Sequence, residues 1–358
     1  MKPTVVAAMS GGVDSSVAAA LLLEQGYRVI GITMNVWPEE ETACTHSCCS
    51  VTDIDDARAV CAKLGIPHYV LNMREIFRKE VIDYFLAEYL RGRTPNPCIA
   101  CNSHVKFDAL LRRAEELGAD YVATGHYACV AHDAATGGCR LTRSADSRKD
   151  QTYVLYMLDQ ARLRHVLLPC GGFTKPQIRE IAHSHGLPTF QKPDSQDLCF
   201  IGAGGYAGFI RENCGALAKS GPIIGPGGEV LGRHDGVFHF TIGQHRGLGD
   251  SLPGKLFVTR IDPAHAAVYV GPESELFRSA MRVEELRPAF AGALGDDACV
   301  GVKIRYSAPE VPAVLHALPD GALQVDFDSP QRAITPGQAA VFYDGGTVLG
   351  GGIIAGAL

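Results

Sequence analysis

The sequence predicts an α/β protein: an N-terminal doubly wound parallel-sheet domain, a small β-rich central domain and a C-terminal β-barrel. Three observations point there. Strand and helix signals alternate through the first half of the chain. Glycines stand just past three of the predicted helices, at Gly26, Gly65 and Gly118, where a left-handed terminal residue is favoured. Beyond about residue 205 glycine and proline become frequent and the apolar runs shorten to strand length.

The strands expected in the first half are Val5–Met9, Arg28–Met34, His68–Leu71 and Tyr121–Thr124. The helices are Ser15–Gln25, Thr52–Leu64, Glu75–Leu90, Ser103–Leu117 and Lys175–His185. Thr52 with Asp55 resembles a capping box with Asp in place of Glu, and Thr174 is the expected N-cap of the last helix. A βαβα order implies a parallel sheet, whose ligands bind beyond the carboxyl ends of its strands. Further strands are expected at Val237–Ile242, Lys255–Ile261, Ala267–Val270, Val300–Tyr306, Ala322–Phe327, Gln338–Tyr343 and Thr347–Ile354. The domains expected are residues 1–205, 206–277 and 278–358.

A chain of 358 residues has room for two or three domains. With 46% apolar and 20% charged residues it has the composition of a soluble globular protein. No apolar run reaches membrane-spanning length and the N-terminus lacks the features of a signal peptide, so no membrane partner and a cytoplasmic location are expected. Twelve cysteines there point to metal or redox chemistry more than to structural disulfides. A net charge of -6 argues against general nucleic-acid stickiness and leaves room for a local RNA patch. Basic residues cluster at Arg91–Arg93 and between Arg140 and Lys149, as solvated faces also do.

The segment Ser10-Gly11-Gly12-Val13-Asp14-Ser15 lies between an apolar strand and an apolar helix. Adjacent glycines allow a sharp turn and close approach of a ligand, and the following helix turns its N–H groups and positive dipole end toward the loop. Such a nest suits phosphate or pyrophosphate; a plain strand–helix turn would look similar. The string SGGVDS resembles the PP-loop of the ATP pyrophosphatases. It is neither a Walker A loop nor a dinucleotide fingerprint, because no Gly-Lys-Ser/Thr follows and the glycines are adjacent.

Cys98 and Cys101 form a CxxC after the rigid turn Thr94–Pro97 and before Asn102-Ser103, an expected helix start. A thiol at a helix N-terminus tends toward thiolate; a structural metal knuckle is the alternative, although a complete zinc site needs more ligands. Cys199, alone, reads as a small buried hydrophobe. Cys44, Cys48 and Cys49 crowd a loop with His46, which suggests metal or redox sensitivity. Cys61, Cys129, Cys139, Cys170, Cys214 and Cys299 are isolated and read as structural.

Seven motifs then occur in order: SGGVDSSVAA (10–19), GRTPNPCIACNSHVKF (92–107), ATGHYA (123–128), KDQTYVLY (149–156), KPDSQDLCFIG (192–202), TIGQHRGLG (241–249) and ITPGQAAVFYDGGTVLGGGII (334–354). Together, over nearly the whole chain, they resemble the tRNA-specific 2-thiouridylase (MnmA) family. The resemblance implies ATP-dependent adenylation of the C2 carbonyl oxygen of the wobble uridine, followed by sulfur transfer that yields 2-thiouridine, AMP and pyrophosphate. It implies ATP along Ala8, Met9, Ser10, Gly11, Gly12, Val13, Asp14 and Ser15, with Met34 and Gly125 beside the adenosine. Asp14 is then expected to help hold Mg²⁺, for which hard carboxylate oxygens are suited; a helix N-terminal Asp favoured by the dipole has the same position.

By the same resemblance Cys199 carries a persulfide and Cys101 releases the sulfur by forming a disulfide with it. Asn96, Pro97 and Cys98 border the target base, and His126, Lys149, Asp150, Gln151, Arg305, Tyr306 and Gln338 touch the RNA. Tyr306 is suited to stacking and Arg305 to a phosphate. The implied partners are tRNAs for lysine, glutamate and glutamine and a cysteine desulfurase or sulfur-relay protein. Two departures stand out. Cys98 falls where some members carry Asp, so that Cys98, Cys101 and Cys199 could instead hold a 4Fe–4S cluster. His245 falls where Arg or Lys is expected. A different PP-loop ligase or amidotransferase is a further alternative, disfavoured by the lack of a glutaminase domain and by the long β-rich tail.

Overall fold

The computed structural model describes residues 2–36, 51–132, 137–194, 198–202, 204–248 and 254–358. The thiol-rich loop Cys44–Cys49 lies outside the described residues. The chain forms two compact units. The first comprises Met1–Ile82, Pro97–Ala203 and Gly346–Val348; the second comprises Asp83–Asn96, Gly204–Gly345 and Leu349–Leu358.

The first unit is built on strands β1 (Thr4–Ala8), β2 (Arg28–Asn35), β3 (His68–Asn72) and β4 (Tyr121–Ala123). A hairpin, β5 (Cys129–His132) and β6 (Cys139–Thr142), follows, and then β7 (Val166–Leu167). The sheet order is β3-β2-β1-β4-β7 and every pairing is parallel. Because side chains alternate along a strand, Val5 and Ala7 face one core and Val6 and Ala8 the other. The first core is completed by Val17, Ala18 and Leu22 of helix α1 (Val13–Glu24), Ala57 and Val60 of α2 (Val51–Leu64), and Ile178 and Ala182 of α3 (Lys175–Ser184). The second is completed by Leu110 and Ala114 of helix Leu110–Glu116. Apolar covering of both faces is what a doubly wound sheet requires.

The sheet order reverses between β1 and β4, because β2 lies on one side of β1 and β4 on the other. Such a switch point opens a crevice at the carboxyl ends of the strands. Residues Met9–Gly12 leave β1 there, and Thr124–His126 leave β4 beside them.

The second unit holds a four-stranded sheet of β8 (Gly221–Ile224), β9 (Val230–His234), β10 (Phe257–Asp262) and β11 (Ala267–Gly271), ordered β10-β11-β8-β9. It also holds six strands: β12 (Phe277–Pro288), β13 (Cys299–Lys303), β14 (Val311–Ala317), β15 (Leu323–Arg332), β16 (Ala339–Asp344) and β17 (Thr347–Ala357). These run β12-β15-β14-β13-β16-β17 and close through β12–β17, where Val283 lies opposite Ile354. Closure leaves no unpaired edge. Alternate residues, among them Met281, Val283, Val302, Leu315, Val325 and Phe342, fill the interior. β12 changes register between Glu284 and Arg287, and Glu285 takes φ 51° in that bulge.

Several expectations are corrected. Val237–Ile242 is not a strand: Val237–His239 is a 3-10 turn, and Val237, Phe238 and Phe240 are all buried, which a strand with alternating faces does not permit. α2 begins at Val51, so Thr52 lies inside it and is not an N-cap. The helix expected from Ser103 begins at Pro97, whose fixed φ suits a first helical position. The expected helix Glu75–Leu90 runs as Arg74–Phe77, a π-helical Arg78–Asp83 and Tyr84–Leu90. Strands β5, β6, β7, β8, β9, β12 and β14 had no counterpart in the sequence-based expectations. Gly26, Gly65 and Gly118 take φ 88°, 68° and 67° after their helices, and Thr174 N–H donates to Gln177 Oε1 at 2.8 Å as a capping box requires.

Candidate active site at the sheet switch point

The loop after β1 is shaped for a ligand that backbone alone can approach. Gly11 has φ 71°, and a Cβ there would lie 2.3 Å from the Asp53 carbonyl oxygen. A Cβ on Gly125 would lie 2.7 Å from Ser15 N. Gly12 is the N-cap of α1 and places no side chain over the first-turn N–H groups, which therefore face the loop as anion donors. Ser15 and Ser16 hydroxyls both donate to the Gly12 carbonyl, at 3.1 and 2.7 Å, and Ser10 N–H donates to Ser15 Oγ at 3.2 Å. The expected nucleotide residues thus share one sheet edge: Ala8–Ser15 after β1, Met34 near the end of β2 and Gly125 after β4.

Asp14 is the charged group of this loop. Its Oδ1 accepts from Tyr127 Oη at 2.8 Å and from Lys175 Nζ at 2.7 Å, and its Oδ2 accepts from Lys175 Nζ at 2.9 Å. Burial, with the adjacent Asp14 charge, pushes the Tyr127 phenol far up, so it stays a donor. One carboxylate and an uncapped helix start fit a Mg²⁺–triphosphate, because Mg²⁺ takes few protein oxygens and completes its shell with phosphate and water. Asp14 would hold the ion and α1 the phosphates; the ion supplies charge neutralisation at the phosphates.

Lys175 also pairs with Asp194 Oδ1 at 2.8 Å. Asp194 is further held by Lys149 at 2.7 Å and Arg179 at 3.1 Å. Burial would raise its carboxyl, but the hydrogen bonds from Lys149 and Lys175 hold it below the ordinary value. Two residues earlier, Lys192 Nζ donates to the Gly11 carbonyl at 3.0 Å, to Asp53 at 2.6 Å and to Asp56 at 2.5 Å. Burial opposes its charge, yet these acceptors raise its pKa. Arg148, Lys149, Lys175 and Arg179 line a cavity of about 450 Å³ with Asp146 and Pro176.

The cysteine motif lies on a helix instead of a turn. Cys98 is exposed in the first turn of Pro97–Ala100, and Cys101, half-buried, opens the π-helical segment Cys101–Ala109. Single π segments often accompany functional sites. Three positions apart, the two cysteines lie on neighbouring parts of one helix face. Asn102 is buried, and its Nδ2 donates to the Val154 carbonyl at 2.9 Å, joining this helix to the KDQTYVLY segment. Cys199 is half-buried. Its neighbour Phe200 packs edge-on against Phe77 at 5.9 Å between ring centroids, and the helix Arg74–Phe77 packs on Cys101–Ala109. Ser195–Asp197 lie outside the described residues.

The residues expected to touch RNA are mostly engaged within the protein. His126 is buried against Thr124 Oγ1 at 2.7 Å, and burial, helped by the Lys106 charge, keeps its pKa well below the ordinary value. Asp150 is buried and accepts from Ser144 N–H and Thr152 Oγ1. Gln151 Oε1 accepts from Tyr127 N–H at 2.9 Å. Arg305 donates to the Ala333 and Ile242 carbonyls at 2.9 and 3.3 Å, and Gln338 to the Thr94 carbonyl at 2.7 Å. Tyr306 is exposed, as stacking would need. Sequence reasoning did not single out Lys175, Lys192, Asp53, Asp194, Tyr127 or Asn102. Three of them lay inside quoted motifs, Asn102 beside Cys101, Tyr127 beside His126 and Lys192 with Asp194 in KPDSQD; Lys175 had only its place after the cap Thr174.

The fold and the loop define a PP-loop protein of the HUP class with two β-rich modules behind it. Residues 3–203 match the tRNA methyl transferase HUP domain, 208–272 the tRNA methyl transferase PRC-barrel domain and 283–354 the aminomethyltransferase beta-barrel domain. The chain is 50% identical over 356 residues to a tRNA-specific 2-thiouridylase MnmA of Acetivibrio thermocellus, covering 99% of both chains. It is 50% identical to the protein of that name from Pelotomaculum thermopropionicum, covering 99% of this chain and 97% of the other. For the Clostridioides difficile protein of that name the figures are 45%, 99% and 98%. The chain belongs to the tRNA-specific 2-thiouridylase family, a family of tRNA-modifying sulfurtransferases. Among the described residues no helix is long and apolar enough to cross a membrane.

Proposed function

We propose that this protein carries out ATP-dependent 2-thiolation of the wobble uridine of tRNAs for lysine, glutamate and glutamine in the cytoplasm, with sulfur carried as a persulfide on Cys199. One observation carries the reading: Lys175 bridges Asp14 of the PP-loop to Asp194, five residues before Cys199, so the ATP site and the thiol segment meet at one sheet edge. The urea-like C2 carbonyl is a poor electrophile with a poor leaving group. Attack of its oxygen on the α-phosphorus of ATP expels pyrophosphate and makes the oxygen part of AMP.

The outer sulfur of the Cys199 persulfide then attacks C2, AMP leaves, and a C2–S–S–Cys199 linkage forms. The Cys101 thiolate attacks Cys199 Sγ, forming a Cys101–Cys199 disulfide, and the electron pair departs with the sulfur on C2 as 2-thiouridine. A dithiol reductant restores the two thiols, and a cysteine desulfurase or sulfur-relay protein reloads Cys199. Asn96, Pro97 and Cys98 border the flipped base; Tyr306 stacks and Lys149 meets phosphate, while His126, Asp150, Gln151, Arg305 and Gln338 shape the surface around the RNA.

The test is single-turnover thiolation with a persulfide donor, purified tRNA and Mg²⁺–ATP. Cys199→Ala is expected to abolish 2-thiouridine while leaving tRNA-dependent AMP formation; full thiolation by this variant would overturn the assignment. Cys101→Ser is expected to trap the tRNA on Cys199. Iron and acid-labile sulfide in anaerobically purified active protein, in the amount of one 4Fe–4S per chain, would replace the persulfide route with a cluster on Cys98, Cys101 and Cys199.

A further inference from the structure

We infer that Lys175 and Asp194 are positioning residues that couple nucleotide loading to the reactivity of Cys199, by a clamp that Mg²⁺–ATP opens. This rests on Cys199 being the sulfur carrier. The segment leading to Cys199 is fastened to the PP-loop at two points. Lys192 holds the Gly11 carbonyl, and Lys175 holds both oxygens of Asp14 together with Asp194. An ammonium has three donors, and those of Lys175 are spread over Asp14 Oδ1, Asp14 Oδ2 and Asp194 Oδ1 at 2.7 to 2.9 Å. The Lys175 side chain is only 11% exposed, so water replaces a lost partner poorly.

A divalent ion on the ATP phosphates needs the same Asp14 oxygens that Lys175 occupies. A hard dication displaces an ammonium from a carboxylate it coordinates. Asp14 keeps Tyr127 as its orienting donor, whereas Lys175 is left with Asp194. The tie between the PP-loop and the thiol segment is then cut at this point. Sulfur would be offered only when a leaving group can be made, which protects the persulfide from loss to other nucleophiles between turnovers.

The test reads alkylation of Cys199 by iodoacetamide in the full-length protein, by peptide mass spectrometry, with and without a Mg²⁺-bound non-hydrolysable ATP analogue. Exposed Cys299, in the second unit, is the internal control. In the wild type the analogue is expected to speed Cys199 alkylation at least about threefold and leave Cys299 unchanged. In Asp194→Asn, Cys199 is expected to react fast with or without the analogue, a ratio near one, with analogue affinity retained in calorimetry. Lys175→Met should behave likewise and Lys175→Arg should restore the ratio; these two report even if Asp194→Asn folds poorly. A wild-type ratio of one, a slowing, or a wild-type ratio in Asp194→Asn would overturn the coupling. Retained thiolation by Cys199→Ala would overturn the sulfur-carrier reading and leave the measured coupling as it stands.

Discussion

The Tyr127 phenol donates to Asp14 Oδ1 at 2.8 Å across 113 residues of sequence. It ties the ATGHYA segment to the PP-loop and orients the one carboxylate suited to a metal ion. The ring is buried, and the phenol remains protonated throughout the ordinary pH range. Tyr127→Phe removes a charge-assisted hydrogen bond without opening a cavity. Because Lys175 still satisfies Asp14, the expected loss of stability is near the lower end for such bonds, about 1.5 kcal/mol, read by denaturant unfolding. The Mg²⁺ concentration needed for half-maximal AMP formation should rise, since Asp14 is less well oriented.

Gly125→Ala tests the crevice from the β4 side. The new Cβ would meet the Asp14 carbonyl carbon and Ser15 N at 2.7 Å, both backbone atoms that cannot rotate away. The first turn of α1 must shift. A misplacement of about 1 Å can cost about a hundredfold in rate, so pyrophosphate release should fall by about that factor. Circular dichroism should show the sheet and helices retained, which separates this outcome from unfolding.

The carboxyl of Asp194 sits below its ordinary value of 3.8: burial alone would raise it, and hydrogen bonds from Lys149 and Lys175 outweigh that. A depressed carboxyl contributes stability that is fully present above the unfolded value and is lost as pH falls through the lower folded value. The wild type should therefore melt above Asp194→Asn at pH 7, and the gap should close as pH drops below 3.8. A gap unchanged down to pH 3 would show that the ion pairs add nothing. His126 has the opposite chemistry and the same sign. Burial favours its neutral form, so its contribution is present above the ordinary 6.5 and erodes as pH falls below it. Its ring resonances should stay constant through the range in which exposed histidines titrate.

Much of this was legible in the chain because it is local. The strand–loop–helix at 4–24, the glycines at 26, 65 and 118 and the Thr174 cap each write their geometry within a few residues. The barrel was legible as a class but not strand by strand, because β12 carries bulges that break its alternation and β14 includes Pro312. The ionic clamp was illegible for another reason. Lys175 meets Asp14 at a separation of 161 residues and Lys192 meets Asp53 at 139, and a lone lysine carries no local mark of its partner. Arg305 and Gln338 show the reverse: motif likeness marks them for RNA, while their hydrogen bonds tie one segment of the second unit to another.

That last point can be tested at Gly337, beside Gln338. Gly337 takes φ 90°, and a Cβ there would lie 2.9 Å from Thr94 N and 3.0 Å from Arg93 Cβ. Thr94 N–H donates to the Pro336 carbonyl at 2.9 Å, and Gln338 Nε2 donates to the Thr94 carbonyl at 2.7 Å. This loop therefore grips the chain just before Asn96. Gly337→Ala should cost about 1–3 kcal/mol, because a side chain must adopt a left-handed conformation against backbone. Gln338→Ala removes one hydrogen bond and should cost about 1 kcal/mol. If Gln338 acts through Thr94, Gln338→Ala should lower the rate of thiolation at saturating tRNA and leave tRNA affinity within about twofold. If it acts as an RNA contact, affinity should fall and the saturated rate should hold. Filter binding and single-turnover thiolation on the same protein preparation separate the two.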